Sequence, residues 1–118
     1  MAFSRAGQSY VIDVDVAHAY VSNLRFAWDP AKSERTLRER GFDFVYAARI
    51  FAGRVVLDED TRTDYGERRQ RATGEVEGLV LRVVFTGRVA EDGQVVRRII
   101  SARRASRKER RAYREQAR

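Results

Sequence analysis

Leu81, Val83 and Phe85 alternate with Arg82, Val84 and Thr86, and a period of two over so many residues is satisfied only by a strand with one apolar face. The stretches 79–89 and 94–102 are both rich in β-branched residues, and Glu91-Asp92-Gly93 between them reads as a hairpin turn. A sheet with one apolar face needs a cover. With 118 residues the chain has room for one core and not two, and its own helices can provide the cover.

Two helices are predicted upstream of the strands. Asp29 can cap free amides and Pro30 fits the first helical position, where its missing N–H costs nothing; Gly41 closes this helix. A second, shorter helix is expected from a cap at Asp43 through Phe44, Ala47, Ala48 and Phe51, whose spacing makes one apolar face, stopping before Gly53. Strands follow at 55–57 and 68–74, the latter polar and edge-like, with a polar loop over 58–66 between them and a turn at 75–78. Ser106-Arg107-Lys108-Glu109 is a capping box, so a third helix starts there, with only Ala112, Tyr113 and Ala117 to pack. The expectation is an α+β domain with two N-terminal helices, a four-stranded antiparallel sheet and a C-terminal helix. Trp28, Phe44, Phe51 and Phe85 are core candidates.

Residues 1–24 stand outside this plan. Tyr10, Ile12, Val14 and Val16 alternate as a strand would, yet the domain reads as starting at Arg25. We expect an extension that is disordered or precedes the natural start, ahead of a domain over 25–118, and no role for His18.

Composition narrows the chemistry. No apolar run approaches the roughly 20 residues of a membrane span, so no membrane partner is expected. Asp13 and Asp15 stand after Arg5 where a signal peptide would carry its apolar stretch, so a cytoplasmic location is expected; the chain has no cysteine and one histidine, which removes disulfides, thiol nucleophiles and cysteine or multi-histidine metal sites, and no metal and no cofactor are expected. The net charge of +7 is uneven: residues 1–66 carry 9 basic and 10 acidic side chains, residues 67–118 carry 15 and 7. A polyanion or an acidic protein is the expected partner of the second half.

Four blocks carry a resemblance: Phe26-Ala27-Trp28-Asp29-Pro30-Ala31-Lys32; Arg40-Gly41-Phe42-Asp43-Phe44; Glu67-Arg68-Arg69 with Gly74; and Arg98-Ile99-Ile100-Ser101-Ala102-Arg103-Arg104-Ala105, closed by Glu109 and Tyr113. In this order and spacing, over about residues 25–114, they resemble the BrnT toxin family. The resemblance implies a RelE-like α+β fold, a ribonuclease toxin of a type II toxin–antitoxin pair, and a BrnA-type antitoxin that itself carries the DNA-binding domain, so the toxin is not a direct DNA reader. Thr36, Arg40 and Gln70 depart from the pattern, where the family often has Asn, His and an aromatic.

Metal-independent RNA cleavage needs a base for the 2′-OH, positive charge on the phosphorane and an acid for the 5′ oxygen. Arginine suits the second task, because its fork matches two phosphate oxygens and stays charged. Arg69 and Arg103 are the candidates if their strands flank an open sheet face; Arg98 and Arg104 point elsewhere by alternation unless a bulge intervenes. Glu67 is a candidate base, and Lys32 or Tyr113 a candidate acid, against bland alternatives of a salt bridge for the first two and core packing for Tyr113. Arg98, Arg104, Arg107 and Lys108 are candidate RNA-binding residues. The competing expectation is a non-catalytic RNA-binding or antitoxin-binding protein that uses the same charge for positioning.

Overall fold

The computed structural model describes residues 18–21, 23–62, 64 and 66–116. In chain order these form β1 (His18–Val21), β2 (Leu24–Trp28), α1 (Pro30–Arg40), α2 (Phe44–Ala48) continued by a 3₁₀ turn (Arg49–Ala52), β3 (Val55–Glu59), β4 (Gln70–Val76), β5 (Leu79–Val89), β6 (Val95–Arg104) and α3 (Arg107–Gln116).

Helix boundaries follow the local chemistry. The Asp29 carboxylate accepts the Ala31 N–H at 2.9 Å, and Gly41, at φ +85°, ends α1 in the left-handed conformation that glycine adopts without strain. Asp43 caps α2 by accepting from Tyr46 N–H at 2.9 Å. The Ser33 hydroxyl, buried on α1, accepts the Phe44 N–H at 3.0 Å and so fixes one helix on the other. Ser106 and Glu109 form the reciprocal box: Glu109 N–H donates to Ser106 Oγ at 3.1 Å and Ser106 N–H to Glu109 Oε1 at 2.7 Å.

The sheet departs from expectation. It has six strands in the order β1-β2-β6-β5-β4-β3, and it is mixed, because β2 runs parallel to β6 with Phe26 opposite Arg97 and Trp28 opposite Ile99. The four-stranded antiparallel sheet is therefore only its central and distal part, and the two helices follow two strands rather than opening the fold. The reason is distance along the chain: β2 and β6 pair across some seventy residues, and no local pattern announces such a partner. Of the residues expected to lie in an extension, His18–Val21 form β1 and Leu24 starts β2, and Ala19 and Val21 are buried. The alternating residues 10–16 lie outside the described residues. Nor is β4 an edge: it pairs with β5 on one side and β3 on the other.

One face of the sheet is packed by α1, α2 and the 3₁₀ turn. Phe26, Phe51 and Phe85 pack in sequence, the first pair tilted with ring centroids 4.8 Å apart and the second edge to face at 5.5 Å, in one core with Leu81, Val83 and Ile99. Trp28 and Phe44 are buried as expected. Gly74 is the point of closest approach, since a Cβ there would lie 2.8 Å from Ile50 Cβ and 3.0 Å from Val55 Cγ1. Replacing Gly74 with Ala should push the 3₁₀ turn off the sheet and destabilise the fold by about 1 to 3 kcal/mol, as overpacking does. A midpoint of urea unfolding equal to the parent's would contradict this packing.

Candidate active site

The opposite face of the sheet carries the charge. Antiparallel partners share a face, so the register places Thr73, Arg82 and Arg103 in one row and Arg71 beside Val84 in the next. Between Val84 and Phe85 the β5–β6 register shifts: Val84 is opposite Ser101 but Phe85 is opposite Ile99. This bulge adds one residue to β6 and returns Arg98, opposite Thr86, to the face that carries Arg103. The alternation that would send Arg98 elsewhere is thereby broken, whereas Arg104, opposite Leu81, stays on the helix side in a groove with Leu37, Phe42, Tyr46 and Leu79.

Helix α3 lies across one end of the charged face and divides it. At that end Glu109 accepts two hydrogen bonds from the Arg103 guanidinium, at 2.8 and 2.9 Å, and stands 3.0 Å from Arg82; Asp58 pairs with Arg82 at 3.4 Å and also with Arg71. Two carboxylates thus hold three guanidiniums in a chain that runs from β3 to α3. Arg114 of α3 reaches Glu75 of β4 at 3.7 Å. Tyr113, the one aromatic of the helix, lies under the Arg54 guanidinium at 4.3 Å, and its hydroxyl donates to the Arg54 carbonyl at 2.9 Å. Tyr113 is a packing residue in this arrangement, remote from Arg69.

These contacts set the protonation of the α3 anchor. Arg103 foremost, then the Ser106 N–H and the Arg82 charge, hold the Glu109 carboxyl down from its ordinary value near 4.5 to about 2. A carboxyl depressed on folding contributes stability that is complete above its unfolded value and is lost as the pH falls through the folded one. We expect α3 to stay docked down to about pH 4.5 and to detach progressively towards pH 2, followed by hydrogen exchange of residues 107–116. Detachment already complete at pH 5 would place its control elsewhere.

The other end of the charged face lies beyond these α3 contacts. Arg69 enters β4 one residue before Gln70, which pairs with Phe85, so Arg69 stands level with Thr86 and, one strand further, with Arg98. The two arginines are separated by two strand spacings, about 10 Å, with Thr86 between them. Arg103 instead lies four residues along the sheet from this row, about 13 Å away. The expected convergence of Arg69 with Arg103 is therefore replaced by the alignment of Arg69 with Arg98: the register sets Arg103 opposite Arg82, and the bulge brings Arg98 opposite Thr86. Glu67 stands 3.8 Å from Arg69 and 3.9 Å from Arg88, and the Thr86 hydroxyl donates to the Arg68 carbonyl at 2.8 Å, which ties this segment to β5. Where the segment leaves β3, the buried Asp60 accepts from Arg62 at 2.8 Å through both carboxylate oxygens, and this pairing holds its carboxyl well below the usual range.

The remaining candidates lie elsewhere. Lys32 is exposed on α1 and lines a separate cleft with Arg35, Thr36 and Arg40, against β6. Arg40 donates to the Ala102 carbonyl at 2.6 Å and the Thr36 hydroxyl to the Lys32 carbonyl at 2.9 Å, so two of the departures from the family pattern act as local ties of α1. Arg107 and Lys108 are exposed on the first turn of α3, where Arg107 shares a basic surface with Arg110, Arg111 and Arg114. The sequence reading missed Arg71, Arg82, Arg88 and Asp58. The alternation of Arg82 with Leu81 and Val83 does put it on the outer face, but only the register reveals its carboxylate partners.

Among the described residues no helix is long and apolar enough to cross a membrane, and no three His, Cys, Asp or Glu side chains gather as a metal site. No curated protein matches the chain. The family model that does match is described as "Ribonuclease toxin, BrnT, of type II toxin-antitoxin system" and covers residues 28–109, a span that takes in both helices of the packed face, the bulged hairpin and Glu109. On that match the chain belongs to the BrnT family, the ribonuclease toxins of type II toxin–antitoxin systems.

Proposed function

We propose that the chain is a metal-independent endoribonuclease that cleaves RNA on the half of its charged sheet face away from α3, and that a BrnA-type antitoxin silences it by covering that face. The observation that carries this reading is the alignment of Arg69, Thr86 and Arg98 across the sheet, with Glu67 beside Arg69, away from the end of the face where α3 meets Glu75, Arg82 and Arg103. In this reading Arg98 and Arg88 hold phosphates next to the cleaved one. Arg69 offers its fork to the phosphorane, whose charge develops only as the 2′ oxygen attacks. Glu67, which stands beside Arg69 and Arg88, removes the 2′-OH proton, and water protonates the departing 5′ oxygen. Arg103 acts through Glu109, anchoring the helix that walls the site. The basic surface of α3, from Arg107 to Arg114, is the first contact for an acidic antitoxin segment, and the reading of DNA is left to the antitoxin.

A second reading, binding without turnover, is favoured by one observation: Lys32 and Tyr113, the two candidate acids, stand outside the cluster. Incubating the purified chain with RNA in excess EDTA separates the two. We expect concentration-dependent cleavage that the antitoxin abolishes. Intact RNA under conditions where the chain still binds it would leave only the second reading.

A further inference from the structure

Strand β2 pairs with β6 as far as Trp28 opposite Ile99, and the chain then turns into α1, which approaches the rest of β6. Between the two lies a cleft of about 200 Å³, whose β6 side includes Ile100 and Ser101. Its α1 side is Lys32, Arg35, Thr36, Glu39 and Arg40. These residues recur at i, i+3, i+4, i+7 and i+8, the spacing of one helix face, and on a helix beside a sheet that face is ordinarily apolar. Here it holds three cations, the single carboxylate of Glu39 and the buried Thr36, so the cleft is positive. Arg38, which does not line the cleft, is paired with Glu34 at 3.3 Å, whereas Lys32, Arg35 and Arg40 pair with no carboxylate among the described residues. Arg40 is held in place all the same, because it donates to the Ala102 carbonyl, next to Ser101, at 2.6 Å.

Ser101 joins this cleft to the charged face. It is opposite Val84, in the row next to Arg82 and Arg103, and three residues from Arg98, at most about 10 Å along β6. We infer that the cleft between α1 and β6 holds a phosphate of the RNA backbone, on the same strand that crosses Arg69 and Arg98, with Lys32, Arg35 and Arg40 as its cations. The inference rests on the reading of that row as an RNA site. The volume suits one phosphate group, since it falls below the roughly 300 Å³ at which pockets for drug-sized ligands begin. The donors suit it as well: arginine brings a fork, lysine a point charge and Ser101 a hydroxyl, and all of these bind phosphate oxygens. Such contacts position a nucleic acid without reading its sequence. The cleft therefore fixes which phosphate of the strand reaches Arg69.

The test uses the full chain and a fluorescent oligonucleotide of 2′-deoxyuridine, which cannot be cleaved for want of a 2′-OH. Lys32→Gln and Arg35→Gln replace exposed side chains, and circular dichroism should show both folded. Each should weaken binding about fivefold to tenfold near 50 mM salt and reduce the slope of log affinity against log salt by about 0.7, the share of one phosphate contact on a single strand. Arg38→Gln removes the same charge from the same helix outside the cleft and should keep the parent's slope. On the all-ribose oligonucleotide the two cleft variants should raise KM and leave kcat unchanged, as loss of uniform binding does. Parental slopes in both cleft variants overturn the inference, and so does an equal reduction in Arg38→Gln, which makes the effect one of net charge. Two further outcomes assign the cleft to another occupant and overturn it too. One is inorganic phosphate or uridine monophosphate shifting the amide resonances of Thr36, Arg40 and Ser101 while oligonucleotide affinity ignores Lys32 and Arg35. The other is loss of antitoxin binding in the cleft variants with RNA binding intact. Cleavage tells this inference from the reading it rests on. Weakened binding in the variants of a chain that cleaves no RNA leaves the cleft standing and removes the catalytic reading. Parental binding in the variants of a chain that does cleave RNA does the reverse, and failure to bind any oligonucleotide removes both.

Discussion

Arg69→Ala should abolish RNA cleavage and growth inhibition while the fold and antitoxin binding persist. Arg69 exposes a quarter of its side chain, close to Glu67, at the level where Arg98 crosses the sheet. Removing a pre-positioned donor opposite a developing oxyanion costs about 3 to 4 kcal/mol, a hundred- to a thousand-fold in rate. A solvated arginine that only decorates the surface would cost almost nothing. Arg69→Lys should recover part of the loss, because an ammonium restores the charge but not the two-point fork. Glu67→Gln should be comparably damaging. In the double variant the losses should fall short of additive, since both residues serve one step. The measurements are single-turnover cleavage rates on folded variants verified by circular dichroism. Parental rates in Arg69→Ala would relocate the chemistry away from this row.

The largest effect on stability is expected from Glu109→Ala. This one carboxylate takes two hydrogen bonds from Arg103, faces Arg82 at 3.0 Å and closes the capping box with Ser106. Its removal leaves Arg82, whose side chain is 12% exposed, with only the longer contact to Asp58. A lost cap is worth about 1 kcal/mol, and a charged hydrogen bond rather more, discounted here because Arg103 is 46% exposed. The sum is about 2 to 3 kcal/mol, or roughly 10 °C in the thermal midpoint of a domain this size. Glu115→Ala, on the exposed side of the same helix, is the control and should shift the midpoint by less than about 2 °C. If the two variants unfold together, the chain of ion pairs under α3 is not what holds the helix. Loss of cleavage in Glu109→Ala well below its melting temperature would show that α3 also shapes the RNA site.

Much of this architecture is local in origin, and local chemistry is written in the sequence. Asp29, Pro30 and Gly41 set both ends of α1 because caps and a left-handed glycine act within one turn. The same holds for Asp43 at α2 and for Ser106 with Glu109 at α3. The alternation through Leu81, Val83 and Phe85 determined a strand with one buried face, and the buried aromatics were legible because only a packed core can hold them. The uneven distribution of arginine pointed to the half of the chain that carries the charged face, and the ordered motifs from Phe26 to Tyr113 pointed to the family.

What the tertiary structure decided is everything that depends on residues far apart meeting. The parallel pairing of β2 with β6, the presence of β1 in the sheet and the interior position of β4 have no local signature, since each needs a partner strand that the sequence does not name. The bulge between Val84 and Phe85 is a mismatch of one residue between two strands, invisible in either alone. It moved Arg98 onto the face with Arg69 and left Arg103 four residues further along. Which arginines pair with which carboxylates was likewise beyond composition, because Asp58 and Glu109 reach Arg71, Arg82 and Arg103 only once β3, β4, β5, β6 and α3 are brought together.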